Sequence, residues 1–158
     1  MPLDSSRAEE LAAIYVDPEV ARYIGGDRLT AEGTRKQVAA FEQIWREHRY
    51  GQSALLERVT GRMIGRAGLH PWANWDELEL GYVLARDSWG RGLASEASQV
   101  WLEWAWTHLP HDHLIAVIQP ANASSIALAE RLGFTFDRHD VTPRGEEVSI
   151  YRLDRPTA

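Results

Sequence analysis

Hydrophobic and polar positions divide the chain into a helical N-terminal part and a remainder that alternates strands with helices. Apolar spacing predicts a helix ending near Tyr15, a short helix from Asp17-Pro18, and a longer helix over about 30–48. Aliphatic and β-branched runs predict strands at about 53–57, 63–70, 78–84, 114–118, 134–139 and 148–153. Further helices are expected over about 94–108 and 124–132. The pattern therefore predicts one α/β domain over residues 1–158, with helices packed on a sheet.

A loop with two glycines joins the strand at 78–84 to the helix at 94–108. It reads WGRGLASEA over residues 89–97. Gly90 and Gly92 can adopt positive φ angles, which turn successive N–H groups toward one ligand, and the helix N-terminus adds its dipole. We predict a phosphate or pyrophosphate site here. An ordinary strand-to-helix turn is the alternative that the loop alone leaves open.

Two other phosphate loops fit the chain less well. No Gly-Lys-Ser/Thr sequence closes the loop, which excludes a P-loop. The dinucleotide fingerprint requires a third glycine where this chain has Ser95, and an acid ending the next strand, whereas Asp112 precedes that strand. A nucleotide-binding oxidoreductase is therefore disfavoured.

Four stretches follow one another with an order and spacing typical of a single family. They are DPEVARYI at 17–24, ELGYVL at 79–84, the loop at 89–97, and NASS at 122–125 leading to RLGF at 131–134. Together they resemble the GNAT acyltransferase superfamily, most closely its RimJ/RimL-like subgroup, which acetylates ribosomal-protein N-termini. The resemblance implies a mixed, mostly antiparallel sheet flanked by helices. It also implies acetyl transfer from acetyl-CoA to a primary amine, on a protein N-terminus or a small molecule, by direct attack.

The resemblance assigns acetyl-CoA to the glycine loop and to the strand before it. The pyrophosphate is expected near the Ser95 hydroxyl, on the backbone N–H groups of Gly90, Arg91, Gly92, Leu93 and Ala94. The pantetheine arm is expected to bond Asn122 and to lie alongside Tyr82, Val83 and Leu84.

The chain departs from the family pattern at two places, and each departure leads to an expectation about the structure. Asp87 stands where the family loop usually has Gln or Arg, so we expect Asp87 to face solvent, with Arg86 or Arg91 supplying positive charge. The strand that normally precedes the first helix is apparently missing. Either the chain is truncated, or another segment or subunit covers the exposed sheet edge, which makes a homo-oligomer possible.

Glu79 is the predicted general base, because the resemblance aligns it with a strand glutamate that many GNAT enzymes use. Its neighbours Leu78 and Leu80 favour desolvation, which raises a carboxyl pKa toward a useful range. A solvent-facing strand residue is the alternative. Glu77 is the substitute base and His70 a weaker one.

Ser125 is the predicted hydroxyl near the thioester, because Ala129 occupies the position of the tyrosine that many relatives use as acid. The alternative role for Asn122 and the serines that follow it is capping of the last helix. Trp72 and Trp75 precede the central strand and are candidates to line an acceptor pocket.

Composition excludes several classes of protein and of functional site. The chain has no cysteine, which excludes disulfides, a thiolate nucleophile and cysteine-ligated zinc. A net charge of −6 argues against an extended nucleic-acid footprint. No signal pattern or membrane-length apolar run is present, so a cytoplasmic protein without a membrane partner is expected.

One cluster of possible metal ligands is present, but its spacing is too loose to favour a metal site: His108, His111, Asp112 and His113. A non-catalytic acetyl-CoA-binding module is the alternative to the enzyme.

Overall fold

The computed structural model describes residues 1–26 and 29–157. The helices are α1 (Ala8–Tyr15), α2 (Pro18–Ala21), α3 (Ala31–His48), α4 (Leu93–His108) and α5 (Ala123–Arg131). The strands are β1 (Gln52–Leu56), β2 (Met63–Trp72), β3 (Glu77–Leu84), β4 (His113–Ile118), β5 (Thr135–Val141) and β6 (Glu147–Asp154). Each predicted strand and helix is present, with ends shifted by a few residues. Among the described residues, no helix has the length and hydrophobicity that crossing a membrane requires.

The strands form one mixed sheet in the order β1-β2-β3-β4-β6-β5. Neighbouring strands are antiparallel except β3 and β4, which are parallel and joined through α4. This confirms the mixed, mostly antiparallel sheet that the resemblance implies. The parallel contact is short, because Glu79 and Ile115 are its one register pair.

The first residues of the chain cover part of the free edge of β1. Pro2 forms an antiparallel bridge with Ser53. The Leu3 N–H donates to the carbonyl of Gln52 at 3.0 Å, and the Ala54 N–H donates to the carbonyl of Met1 at 2.9 Å. Within the described residues, β1 is the first strand, and this short segment satisfies edge groups that would otherwise invite pairing.

Successive side chains of β3 point to opposite faces of the sheet, and each face packs against a different hydrophobic cluster. Leu78 and Leu80 belong to the cluster beneath α4 and α5, whereas Val83 belongs to the cluster beneath α1 and α3. Odd-numbered residues of β3 therefore face the α1–α3 layer. This places Glu77, Glu79 and Gly81 on the same face of the sheet.

The helix α3 ends without a glycine at its left-handed position. Arg49, rather than Gly51, adopts the left-handed conformation at this terminus, with φ of 64°. Gly51 has a packing role, because a side-chain carbon there would come within 2.8 Å of the Trp45 ring. The Trp45 indole donates to the carbonyl of Gln52 at 2.6 Å and so fixes the start of β1.

Candidate functional site

A cavity of about 100 Å³ lies where β3 and β4 run beside each other past their single register pair. Residues 80–83 of β3, residues 116–118 of β4 and Gln119 just beyond β4 form its walls. Tyr23 and Ile24 from the segment after α2 also line it. The cavity brings together five residues that the sequence predicts for the site: Glu79, Tyr82, Val83, Asn122 and Ser125. Leu84 is not among the lining residues, and its carbonyl accepts a hydrogen bond from the Trp89 indole.

The Glu79 carboxylate is held by two donors and faces the cavity. Its Oε2 accepts a hydrogen bond of 2.7 Å from the Trp72 indole, and the carboxylate also accepts one from the backbone N–H of Val117. Its Oε1 lies 3.4 Å from the point that a side-chain carbon of Gly81 would occupy. A side-chain carbon at this distance would be in ordinary van der Waals contact, so space alone does not require glycine here. The register at Gly81 is regular.

Burial raises the pKa of Glu79 to about 7, against the opposing effects of the Trp72 hydrogen bond and the Arg66 charge. A carboxylate with this pKa is matched to accepting a proton near neutral pH. The alternative of a solvent-facing strand residue does not fit this environment.

The raised pKa predicts how stability changes with pH. An unfolded glutamate titrates near 4.5, so between that pH and about 7 the unfolded chain releases a proton that the folded chain retains. The contribution of Glu79 to the free energy of unfolding should therefore fall as pH rises through this window, by roughly 1–3 kcal/mol. Glu79→Gln should remove the fall. Denaturant titrations of both proteins at several pH values measure it, and identical pH dependence in the two would contradict the raised pKa.

The two substitute bases have less suitable surroundings. Glu77 shares the face of Glu79, but its carboxylate pairs with Arg138 at 2.7 Å and with His113 at 3.2 Å. His70 lies opposite Glu79 in the β2–β3 register. Burial and the nearby charge of Arg66 lower the pKa of His70 to about 4, which makes it a weak proton acceptor.

Two hydroxyl groups meet at the start of α5. The Tyr82 hydroxyl donates to the carbonyl of Ser125 at 3.1 Å and lies 3.2 Å from its Oγ. Burial raises the pKa of Tyr82, so the phenol keeps its proton at neutral pH. The pair can supply a proton or a hydrogen bond to a group bound in the cavity.

Asn122 is the cap of α5, which confirms its structural role. Its Oδ1 accepts from the Ser125 N–H at 3.3 Å and from the Ser124 hydroxyl at 3.2 Å. The Ser125 side chain takes no part in this cap. Capping and the chemistry at the Tyr82–Ser125 pair are therefore carried by different groups.

The glycine loop has the geometry of an anion site. Gly90 and Gly92 have φ angles of 70° and 73°, and nothing lies within 4 Å of a side-chain carbon built at either position. Gly92 is the N-cap of α4, where no side chain caps the helix. The first N–H groups of a 16-residue helix thus remain available where its dipole favours negative charge.

Asp87 behaves as expected for a residue turned away from this loop. It is exposed and pairs with Arg62 at 2.8 Å, and this hydrogen bond lowers the pKa of Asp87. Arg62, which the sequence does not single out, therefore neutralises the acid. Arg91 is exposed beside the glycines and remains a candidate for contact with an anion.

The histidines near the end of α4 have separate environments. His108 bonds the carbonyl of Trp104 at 2.8 Å, whereas His113 contacts Glu77 and Asp112. Within residues 1–26 and 29–157, no three histidine, aspartate or glutamate side chains form a group that could hold a metal ion.

Three side-chain roles at the site escape the sequence analysis. The Trp72 indole positions Glu79, the Tyr82 phenol bonds Ser125, and Arg66 enters the cavity from β2. Of these, Arg66 has a recognisable signal, because it is a charged residue within an otherwise apolar strand.

Comparisons with known proteins agree with this geometry. The family model described as "Acetyltransferase (GNAT) domain" matches residues 1–135. The chain is 30% identical over 152 residues to uncharacterized protein YkkB of Bacillus subtilis, covering 94% of this chain and 86% of that protein. It is 29% identical over 149 residues to uncharacterized N-acetyltransferase p20 of Bacillus licheniformis, covering 91% and 84%.

Solved structures give the same result for the fold. An acetyltransferase from Agrobacterium tumefaciens superposes with a TM-score of 0.83 at 27% identity, covering 96% of this chain and 87% of that one. The acetyltransferase yncA from Salmonella typhimurium, solved with its cofactor acetyl-CoA, has a TM-score of 0.76 at 21% identity, covering 98% and 92%. Because the family model spans most of the chain and the fold agrees, this protein belongs to the GNAT family of acetyltransferases.

Proposed function

We propose that the protein transfers the acetyl group of acetyl-CoA to a primary amine by direct attack of the amine on the thioester. The observation that carries the proposal is the placement of Glu79 and the Tyr82–Ser125 pair around one cavity. Glu79 accepts a proton from the ammonium group, and the free amine attacks the thioester carbonyl. As the tetrahedral intermediate collapses, nitrogen releases its second proton to solvent and the departing thiolate gains a proton from the hydroxyl pair. Solvent then reprotonates the hydroxyl pair, and Glu79 returns its proton to solvent.

The cofactor assignments form part of this proposal. The uncapped N-terminus of α4 and the two positive-φ glycines favour the pyrophosphate on the N–H groups of residues 90–94, close to Ser95. The cavity walls favour pantetheine beside Tyr82 and Val83, within reach of the Asn122 amide. That yncA was solved with acetyl-CoA supports the same donor here.

The acceptor is a primary amine of a protein N-terminus or of a small molecule. The resemblance of the four sequence stretches to the RimJ/RimL-like subgroup includes a protein N-terminus among the acceptors. The net charge of −6 favours attraction of a cationic amine in either case.

A thiol-release assay with acetyl-CoA tests the function directly. The acceptors are N-terminal peptides, amino acids, polyamines and aminoglycosides, each compared with hydrolysis in buffer alone. Acetylated product with at least one class supports the proposal. Binding of acetyl-CoA with every acceptor silent would contradict it and favour a non-catalytic binding module.

Ser125→Ala should slow the acetyl-transfer step. Its hydroxyl contacts the Tyr82 phenol, whereas the α5 cap depends on Asn122. We expect a rate loss of about tenfold or more with a stability loss below about 1 kcal/mol. Single-turnover kinetics and denaturant unfolding on one preparation measure both quantities.

Ser124→Ala is the matched control for this change. Ser124 is exposed at the same helix start and bonds Asn122, so its replacement should leave the transfer rate unchanged. Loss of stability in Ser125→Ala with an unchanged rate would contradict the chemical role of this hydroxyl.

A further inference from the structure

Arg66 is a buried cation whose hydrogen-bond partners are neutral. Arg66 is 9% exposed. Its Nε donates to the Tyr15 hydroxyl at 2.7 Å, and its Nη1 donates to Oε1 of Gln52 at 2.7 Å. Its guanidinium carbon also lies 5.1 Å from the centre of the Phe41 ring. These contacts satisfy two donors but bring no negative charge into direct contact with the guanidinium, which acts on the Glu79 carboxylate only at longer range.

The contrast with other arginines of the chain is informative. Arg138 pairs with Glu77, Asp137 and Asp140, and Arg35 pairs with Glu9. In the described part of the chain, no carboxylate lies within ion-pair distance of Arg66, and its Nη2 has no hydrogen-bond partner. A buried guanidinium is costly unless an opposite charge accompanies it.

Arg66 lines the same cavity as Glu79. In the register, Gln52 lies beside Gly68 and Gly68 lies beside Gly81. Nε2 of Gln52 lies 3.6 Å from the point that a side-chain carbon of Gly81 would occupy, and Oε1 of Glu79 lies 3.4 Å from it. The Gln52 amide therefore stands between the carboxylate of Glu79 and the guanidinium of Arg66.

We propose that Arg66 binds a carboxylate of the acceptor, so that the substrate is a small amino acid with its amine beside Glu79. Nη2 of Arg66 and Nε2 of Gln52 are the two donors that reach the carboxylate. This inference rests on the proposed acetyl transfer and narrows its acceptor. A peptide N-terminus presents a neutral amide carbonyl at the same spacing and leaves the buried charge unbalanced.

The wild-type enzyme tests the inference without any mutation. Leucine, serine and lysine are each supplied as the free amino acid, as the amide and as the decarboxylated amine, together with peptides that begin with the same residues. We expect kcat/KM for the free acid to exceed that for its amide by about 10- to 100-fold, the range of a charge-assisted hydrogen bond. Amides or peptides turned over as well as the free acids would overturn the inference while leaving the proposed function intact. No turnover of any amine would contradict the proposed function itself.

The variant Arg66→Gln tests whether Arg66 causes the preference for the free acid over the amide. It should lower kcat/KM for the free acid and abolish the preference over the amide. Because the Arg66 charge also lowers the pKa of Glu79, the ratio of kcat/KM for acid and amide, rather than either rate alone, is the readout. Arg66→Lys, which keeps the charge, should restore part of the preference. Arg35→Gln is the control, because Arg35 is an exposed arginine in an ion pair outside the cavity. A preference unchanged in folded Arg66→Gln would overturn the assignment, and if that variant does not fold, the wild-type comparison decides.

Discussion

Glu79→Gln should lower turnover by about a hundredfold to ten thousandfold, the usual contribution of a general base. Glutamine fits the same space and can accept the indole hydrogen bond of Trp72, but it cannot take a proton from the acceptor. Affinity for acetyl-CoA should stay close to the wild-type value, because the proposed cofactor contacts lie elsewhere. Steady-state kinetics with an established acceptor and equilibrium binding of acetyl-CoA measure the two effects.

The pH profile separates loss of a base from general damage. In the wild type, kcat/KM should rise with pH through about 7, the pKa of Glu79. In Glu79→Gln, the rise should move to the pKa of the acceptor amine, so the deficit shrinks at high pH. Glu77→Gln is the control, since it removes a neighbouring carboxylate that is already paired with Arg138 and His113. Wild-type activity in Glu79→Gln across the whole range would exclude Glu79 as the base.

Gly92→Val should lower affinity for acetyl-CoA by at least about tenfold. A β-branched residue is strained at a φ of 73°, and its methyl groups would stand where the phosphates approach the backbone. The fold itself has room, because no atom lies within 4 Å of the added carbon. Acetyl-CoA at a hundred times its dissociation constant should stabilise the wild type by about 2.7 kcal/mol, and this gain should largely disappear in the variant.

Gly145→Val provides the matched control for that experiment. Gly145 has a φ of 84°, and likewise nothing lies within 4 Å of a side-chain carbon built there. It lies in the turn between β5 and β6, away from the glycine loop. Both variants should lose similar intrinsic stability, and Gly145→Val should keep the full response to acetyl-CoA. Equal acetyl-CoA affinity in Gly92→Val and wild type would contradict the loop assignment.

The sequence predicts those parts of the site that depend on local backbone geometry. Gly90 and Gly92 precede an amphipathic helix, and this order predicts the positive φ angles of the turn and the uncapped helix start, whereas anion binding there stays a prediction. Asn122 precedes another helix and caps it for the same local reason. The sequence also predicts that Glu79 is desolvated, but its apolar neighbours Leu78 and Leu80 are not the cause, because they face the opposite layer of the core.

Contacts between distant segments are not accessible to this reasoning. Trp72 reaches Glu79 because β2 extends two residues beyond its predicted end and pairs Trp72 with Glu77. Tyr82 reaches Ser125 across 43 positions of sequence. The surroundings of Arg66 come from α1 and β1, so its lack of a carboxylate partner becomes visible once the strand register and helix packing are known.

The single register pair between β3 and β4 bears on the order in which substrates bind. Glu79 belongs to the β1-β2-β3 half of the sheet, whereas Ser125 follows β4 in the other half, and few backbone bonds fix one half against the other. A pantetheine chain lying between the strands would act as an added strand and lock the two halves together. The amine would then meet an assembled proton acceptor and donor only after acetyl-CoA has bound. We therefore expect compulsory-order kinetics with acetyl-CoA first, and slower amide hydrogen exchange along residues 81–84 once it is bound.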